Sequence, residues 1–157
     1  MSLRIEPQNP SEAPVGPARS VVRGGLIGAA IAVTGCLVVY AIGNAGAPIR
    51  VVTGWSPDGA ELTVAEVIAT VVVSIALGTG LLALLQRRRP NAWSTWRIVV
   101  ALVAIASAVP LFGLDVDAGS KVALASMHLT TGVASIAGQT IARHRRLSTS
   151  TSPAPAH

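Results

Sequence analysis

The chain has few charged residues, few aromatic residues and a single cysteine. Charged residues make up 12% of its 157 residues, well below the roughly one quarter that is usual in soluble domains. Because mean hydropathy is +0.60, an ordinary water-soluble globule is excluded and much of the surface should face lipid. The single cysteine, Cys36, excludes an intrachain disulfide and a multi-cysteine metal site. Since only three Trp, one Tyr and one Phe occur, the apolar mass is aliphatic and glycine-rich, which suits close helix packing in a bilayer.

The formal net charge of +5 does not indicate nucleic-acid binding. The arginines lie in short clusters between apolar stretches, and no basic stripe with interleaved aromatic residues occurs. Clusters in such positions are typical of topology signals beside transmembrane spans. Eleven arginines against one lysine also indicate a GC-rich bacterial source.

Four apolar stretches approach or reach the length of about 20 residues that a hydrocarbon core requires. They predict an all-α four-transmembrane-helix bundle, with helices at about residues 21–44, 63–86, 95–115 and 118–143. Pro110 should kink the third helix near its outer end. Residues 1–18 and 147–157 are rich in proline and small polar residues, and are therefore predicted to be disordered cytoplasmic tails.

Arginine positions set the predicted orientation, because basic residues are retained on the cytoplasmic side of a membrane. With the N-terminus inside, only Arg50 and Lys121 among the basic residues lie outside. The predicted topology is therefore N-in/C-in, in the bacterial cytoplasmic (inner) membrane. Trp93 and Trp96 flank the cytoplasmic start of the third helix, where indole rings favour the interface.

The first external loop, residues 47–62, is the longest connection. Its extended run near Val51 and its turn residues near Gly59 predict a short extended segment. Two processing alternatives compete with the first helix: a lipoprotein box ending at Cys36 and a signal-peptidase site ending at Ala47. The apolar residues after Cys36 and the length of the apolar stretch weigh against both, so Cys36 is interpreted as a buried packing residue.

Small residues indicate where the helices pack, since association in lipid depends on close approach and on interhelical hydrogen bonds. Gly24 and Gly28 form a small-xxx-small pair on the first helix. Two polar or small stripes follow single helix faces: Glu66, Thr70, Ser74 and Gly78 on the second helix, and Lys121, His128, Thr131 or Gly132, Ser135 and Gln139 on the fourth. We expect these stripes to face each other or the bundle interior.

Ionisable residues in or near the spans are the candidate site residues, because such groups are costly in lipid unless they are paired or neutral. His128 is the strongest candidate, since it lies deep in the fourth span and has no long stem with which to reach water. It can be a neutral hydrogen-bonding residue, a proton carrier, or a metal or haem ligand, although no second ligand lies nearby. Glu66 has a specific structural explanation, a capping box with Thr63.

Glu66, Asp115 and Tyr40 share the outer half of the predicted bundle with His128, so a concerted polar site is one hypothesis. At 1.5 Å per residue, His128 lies roughly 10 Å deeper than Glu66, and a pair of His128 with an acid requires water or Tyr40 between them. The chain contains no P-loop, GxSxG, HExxH or CxxC motif. We therefore expect no enzymatic activity and predict no catalytic residue, metal or cofactor.

The order of several motifs is similar to that of a known family. They are Pro48–Val51 leading to Leu62–Val67, a second helix ending in Leu81–Arg88, then Trp96, and finally Met127–Leu129. Over about residues 20–146 the chain resembles an uncharacterised family of small actinobacterial four-helix membrane proteins. The resemblance implies the same fold and membrane location, and it supplies no activity, ligand or partner.

These patterns predict a small polytopic inner-membrane protein, with a non-enzymatic structural or accessory role in the envelope. Its expected partners are the lipid bilayer and either a second copy of the chain or another membrane protein, with no nucleic acid. The alternative is an oligomeric transporter or proton-conducting unit that uses His128 with Glu66 or Asp115. A haem or quinone protein is a third hypothesis.

Overall fold

A computed structural model describes residues 17–53, 56–88, 92–113 and 115–150. These ranges contain four α-helices, a two-stranded hairpin and a short 3-10 helix. The elements are α1 (Pro17–Gly43), β1 (Arg50–Thr53), β2 (Ser56–Glu61), α2 (Val64–Arg88), α3 (Ala92–Ala108), the 3-10 helix (Val109–Gly113) and α4 (Ala118–Ser150). Of the predicted tails, residues 1–18 and 147–157, the stretches 1–16 and 151–157 lie outside the described residues.

The ends of the helices differ from the predicted bounds at several places. α1 begins at Pro17, because proline needs no hydrogen-bond acceptor for its nitrogen in the first turn of a helix. α4 continues to Ser150, so residues 147–150 are helical where a tail was predicted. Leucine and arginine are good helix formers, and the helix therefore extends beyond the apolar segment that marked its predicted end.

The predicted kink at Pro110 takes the form of a change in helix type. α3 ends at Ala108, and Val109–Gly113 continue the chain as a 3-10 helix. Proline lacks the N–H that an α-helix uses and its ring clashes with the preceding turn. The tighter 3-10 winding is common at the ends of α-helices.

The extended segment predicted in the loop between α1 and α2 is confirmed as a hairpin. β1 and β2 pair antiparallel, with Arg50 opposite Glu61. A two-stranded hairpin is marginally stable by itself, and this one is held at its base. The Leu62 amide donates to the Ile49 carbonyl at 2.8 Å, and Ile49 is fully buried in the main core cluster.

α1 and α4 lie side by side and antiparallel over almost the whole length of α1, and this is the most extensive helix contact of the fold. The contacts occur in reverse sequence order along the two helices: Gly43 with Ala123, Cys36 with Met127, Gly28 with Ala134, and Val21 with Gln139. The last is a hydrogen bond of 3.0 Å from the Gln139 side-chain amide to the Val21 carbonyl. α4 therefore runs alongside α1 for almost the whole length of α1.

Glycines allow the backbones of α1 and α4 to come close together. The packing residues predicted on α1, Gly24 and Gly28, both lie at this contact. On α4, a methyl group at Gly138 would overlap the backbone of both of these glycines. Small residues at a helix crossing permit this approach, which strengthens van der Waals packing in lipid.

Three helices are long and apolar enough to cross a membrane. They are α1 from Arg19, α2, and α3 together with its 3-10 extension. α4 is not apolar enough by the same measure, because polar residues such as His128, Ser135 and Gln139 interrupt its apolar sequence. Of these, Ser135 and Gln139 are buried within the bundle.

Charges separate to the two ends of the bundle. The Arg143 guanidinium lies 5.5 Å from the centre of the Trp93 ring, which brings the end of α4 to the start of α3. This arginine-rich end carries Arg19, Arg23, Arg87, Arg88, Arg97, Arg143 and Arg145. The acidic residues of the described chain lie toward the other end, which we call the hairpin end.

The two tryptophans near the arginine-rich end have different environments. Trp93 is half-buried, and its ring stacks on that of Trp96 with the centroids 5.3 Å apart. Trp96 is fully buried. Its ring therefore packs between helices, a contact that the sequence did not predict.

Candidate functional site

A cleft of about 380 Å³ lies between α2, α3 and α4. Its volume is within the range of small-molecule sites, about 300–1,000 Å³. Leu77 and Val103 line the cleft and are nevertheless 70% and 60% exposed, so the cleft opens on the outer surface of the bundle. Most of the wall is apolar, and a few polar side chains interrupt it: Thr70, Ser74, Ser107, His128, Thr131 and Ser135.

The spacing of the polar residues along the sequence explains their position in the cleft. Residues four apart lie on one face of a helix, and the structure places the predicted stripe of α2 on one wall and most of the α4 stripe on the opposite wall. α2 and α4 make few direct contacts, so the stripes face each other across a gap. Two members of the α4 stripe lie elsewhere: Lys121 donates to the Phe112 carbonyl at 3.3 Å, and Gln139 bonds to α1.

His128 is half-buried on the α4 wall of the cleft. Its Nδ1 lies 2.8 Å from the Leu124 carbonyl oxygen, one turn earlier in the same helix. A carbonyl oxygen only accepts hydrogen bonds, so Nδ1 carries the proton and donates it. In the neutral ring, Nε2 is then a bare acceptor, and it has no hydrogen-bond partner among the residues that the structure describes.

Glu66 lies at the rim of the cleft toward the hairpin end, and its carboxylate caps the start of α2. One carboxylate oxygen accepts from the Thr63 amide at 2.8 Å and from the Thr63 hydroxyl at 2.7 Å. The Glu66 amide donates to the Thr63 hydroxyl at 3.3 Å. The predicted capping box is confirmed, and it accounts for an acid at this position without any chemistry.

Tyr40 and Asp115 do not line the cleft. The Tyr40 hydroxyl donates to the Leu62 carbonyl at 3.0 Å, which fastens the end of α1 to the segment before α2. Asp115 is exposed in the bend before α4. Of the four candidate residues, the structure thus brings only His128 and Glu66 to the same cleft, and Tyr40 does not bridge them.

Two features of the cleft were not predicted from the sequence. Ser107 adds a hydroxyl from α3, although that hydroxyl donates to the Ala104 carbonyl at 3.1 Å. The Trp96 indole donates to the Gly78 carbonyl at 2.8 Å, which joins α3 to α2 beside the cleft. The only sequence signal for an α3 wall was a single serine in an otherwise apolar stretch.

Asp117 organises the hairpin end of the bundle. Its carboxylate accepts hydrogen bonds from the Ser120 hydroxyl at 2.6 Å and the Ser120 amide at 2.8 Å. These bonds hold the pKa of Asp117 below its ordinary value. The Ser120 oxygen also accepts from the Arg50 amide at 3.0 Å, so one chain of hydrogen bonds joins the hairpin to the start of α4.

Within the described ranges, no three His, Cys, Asp or Glu side chains lie together as metal ligands would. The architecture is that of a helical protein with three helices fit to cross a membrane, and with an apolar cleft that opens at its surface. The chain belongs to a family of unknown function (DUF6069), whose sequence profile matches residues 16–145. This match confirms the predicted membership in an uncharacterised family. No curated protein and no solved structure matches the chain.

Proposed function

We propose that the chain is a four-span protein of the bacterial inner membrane, with both ends in the cytoplasm, and a non-enzymatic accessory component of the envelope. In this role it holds a lipophilic molecule in the cleft between α2, α3 and α4. The observation that carries the proposal is the cleft itself, which has mainly apolar walls, a few polar groups and an opening on the outer surface.

The position of α4 beside α1 supports a fourth span. α1 is a candidate span, and a helix in antiparallel contact with it from one end to the other lies at the same depth in the membrane. The faces of α4 also differ in exposure and polarity, as they should in a helix that contacts lipid on one side and the bundle on the other. Val122, Leu129 and Val133 are exposed and suit lipid, whereas Ser135 and Gln139 are buried in the bundle.

The separation of charge supports the orientation. The arginines of the described ranges, apart from Arg50, lie at one end of the bundle, and basic residues near spans are retained in the cytoplasm. In the proposed orientation, the start of α1 and the end of α4 lie inside, and the hairpin and the Asp117 cap lie outside.

The exposed apolar residues at the rim of the cleft support the proposal that the ligand enters from the bilayer. Leu77 and Val103 lie within candidate spans and are exposed, so acyl chains would contact them directly. A lipophilic molecule can therefore reach the cleft without crossing water. Moving such a molecule from lipid to the cleft exchanges one apolar environment for another, so selectivity must come from close packing and from the polar groups.

Proton conduction by His128 with an acid receives less support from the geometry. The Glu66 carboxylate is engaged in its capping box, and Asp115 lies outside the cleft. For this reason we favour a binding role for the cleft over the transport hypothesis.

The proposal can be tested with the full-length protein in liposomes that contain two lipophilic probes, a phospholipid and a long-chain alcohol, each with a diazirine on one alkyl chain. Light-induced adducts, located by mass spectrometry, are expected on cleft residues such as Thr70, Ser107 and His128. Ser74→Phe fills the cleft from the α2 wall and should reduce these adducts several-fold. Val73→Phe is the matched control, because Val73 is exposed and outside the cleft. If the walls remain unlabelled in the wild-type protein, or if both variants label equally, the proposed function is wrong.

A further inference from the structure

The polar groups of the cleft differ in what they can recognise. Thr131 and Ser107 each donate their hydroxyl proton to a carbonyl of their own helix, at 2.9 Å and 3.1 Å. The hydroxyls of Thr70 and Ser74 can donate and accept, so they do not distinguish between ligand donors and acceptors. Nε2 of His128 in the neutral ring can only accept.

His128 lines an apolar cleft, in a helix that lies beside a candidate span. In a neutral imidazole one ring nitrogen carries the proton and the other only accepts. The hydrogen bond from Nδ1 to the Leu124 carbonyl fixes the tautomer and the ring orientation. The lone pair of Nε2 is thereby presented on the side of the ring away from that bond.

We propose that the molecule held in the cleft is a lipophilic alcohol or phenol, whose hydroxyl donates a hydrogen bond to Nε2 of His128. This inference rests on the proposed function and names the ligand class for the same cleft. A quinone, ketone or ester has carbonyl oxygens that only accept, and it would leave Nε2 without a partner. A hydroxyl satisfies Nε2 while its apolar chain lies along the remaining wall toward Leu77 and Val103.

The contribution of this hydrogen bond sets the expected discrimination. A site that hydrogen-bonds a ligand hydroxyl rejects the analogue lacking that group, because its own polar atom is left unpaired. The net gain from one such bond corresponds to about a tenfold difference in binding. Ligands that are identical except for the hydroxyl proton measure this difference directly.

The experiment uses hexadecanol and its methyl ether, each carrying the same mid-chain diazirine, with the full-length protein in liposomes. Adducts on the cleft walls are expected to be about tenfold more abundant for the alcohol than for the ether. His128→Leu should reduce labelling by the alcohol to the level of the ether. His128→Gln, which retains an acceptor, should preserve part of the difference. His144→Leu is the control, because His144 is exposed on α4 outside the cleft.

The wild-type comparison tests the inference even if a His128 variant fails to fold. Equal labelling of the cleft by alcohol and ether would overturn the alcohol assignment and leave the proposed binding function standing. Labelling of the cleft by neither probe would overturn both. Crosslinking that shows the cleft filled by a helix from a second copy of the chain would also overturn both the alcohol assignment and the proposed binding function.

Discussion

The indole nitrogen of Trp96 in α3 donates a hydrogen bond to the backbone carbonyl of Gly78 in α2, with 2.8 Å between the two atoms. Trp96 is fully buried, and it belongs to a core cluster with Val21 and Leu82 near the arginine-rich end. Gly78 also lines the cleft. The bond therefore joins the two helices that form neighbouring walls, and it stabilises the cleft at the end opposite Glu66.

Replacing this tryptophan should destabilise the bundle. Trp96→Phe removes the hydrogen bond and part of a buried ring, so the free energy of unfolding should fall by about 1–3 kcal/mol. Unfolding by SDS in mixed micelles, followed by circular dichroism, measures this change. Trp93→Phe is the control, with a smaller expected loss because Trp93 is only half-buried. Equal losses in the two variants would count against a special role for the Trp96 bond.

The crossing of α1 and α4 should tolerate no side chain at Gly138. Gly138→Ala introduces a methyl group that overlaps the backbone of Gly24 and Gly28, and overpacking of this kind costs about 1–3 kcal/mol. Gly80→Ala is the matched control, since a methyl group there meets no atom within 4 Å beyond its chain neighbours and the backbone of its own helix. It should be neutral or stabilising by up to about 1 kcal/mol, because alanine favours a helix over glycine. The same SDS titration compares them, and a Gly138→Ala protein as stable as wild type would contradict the close crossing.

Much of the fold follows from local patterns in the sequence. The apolar stretches predicted four helices, and the turn residues near Gly59 predicted an extended segment that is now seen as a hairpin. The capping box of Thr63 and Glu66 was readable because it depends only on residues three apart. The extension of α4 to Ser150 could not be predicted in this way, since hydropathy marks the end of an apolar segment and not the end of a helix.

For the candidate site, the sequence could predict which helix face each residue occupies, but not which helices are neighbours. Spacing placed His128 and the α2 stripe on inward faces, and both line the cleft. Which helices are neighbours depends on tertiary packing, and the sequence therefore gave no reason to separate Tyr40 from His128. The buried position of Trp96 was missed for a related reason: an indole suits a membrane interface and a helix contact equally well by composition.

Protonation of Asp117 should weaken the hairpin end. Its folded-state pKa lies below the ordinary value because Ser120 donates two hydrogen bonds to the carboxylate. The resulting stabilisation is fully present above the unfolded pKa, about 3.9, and is lost as pH falls through the folded value. Asp117→Asn should therefore lower the thermal midpoint at pH 7, and the gap to wild type should narrow in strong acid. Asp115→Asn, at an exposed acid nearby, should show a smaller gap at pH 7. A gap for Asp117→Asn that does not change with pH would refute the linkage.

The path of α4 decides between three and four spans, and cysteine labelling in spheroplasts can follow it. The only native cysteine, Cys36, is buried, so a membrane-impermeant maleimide should leave the wild-type protein unlabelled. Ala60→Cys in the hairpin should react from outside, because Ala60 is exposed and β2 lies at the hairpin end of the bundle. Arg145→Cys should react only after the membrane is permeabilised, since four spans return the end of α4 to the cytoplasm. Labelling of Arg145→Cys in intact spheroplasts together with Ala60→Cys would place α4 outside the bilayer, and the proposed cleft would then lack a wall within the membrane.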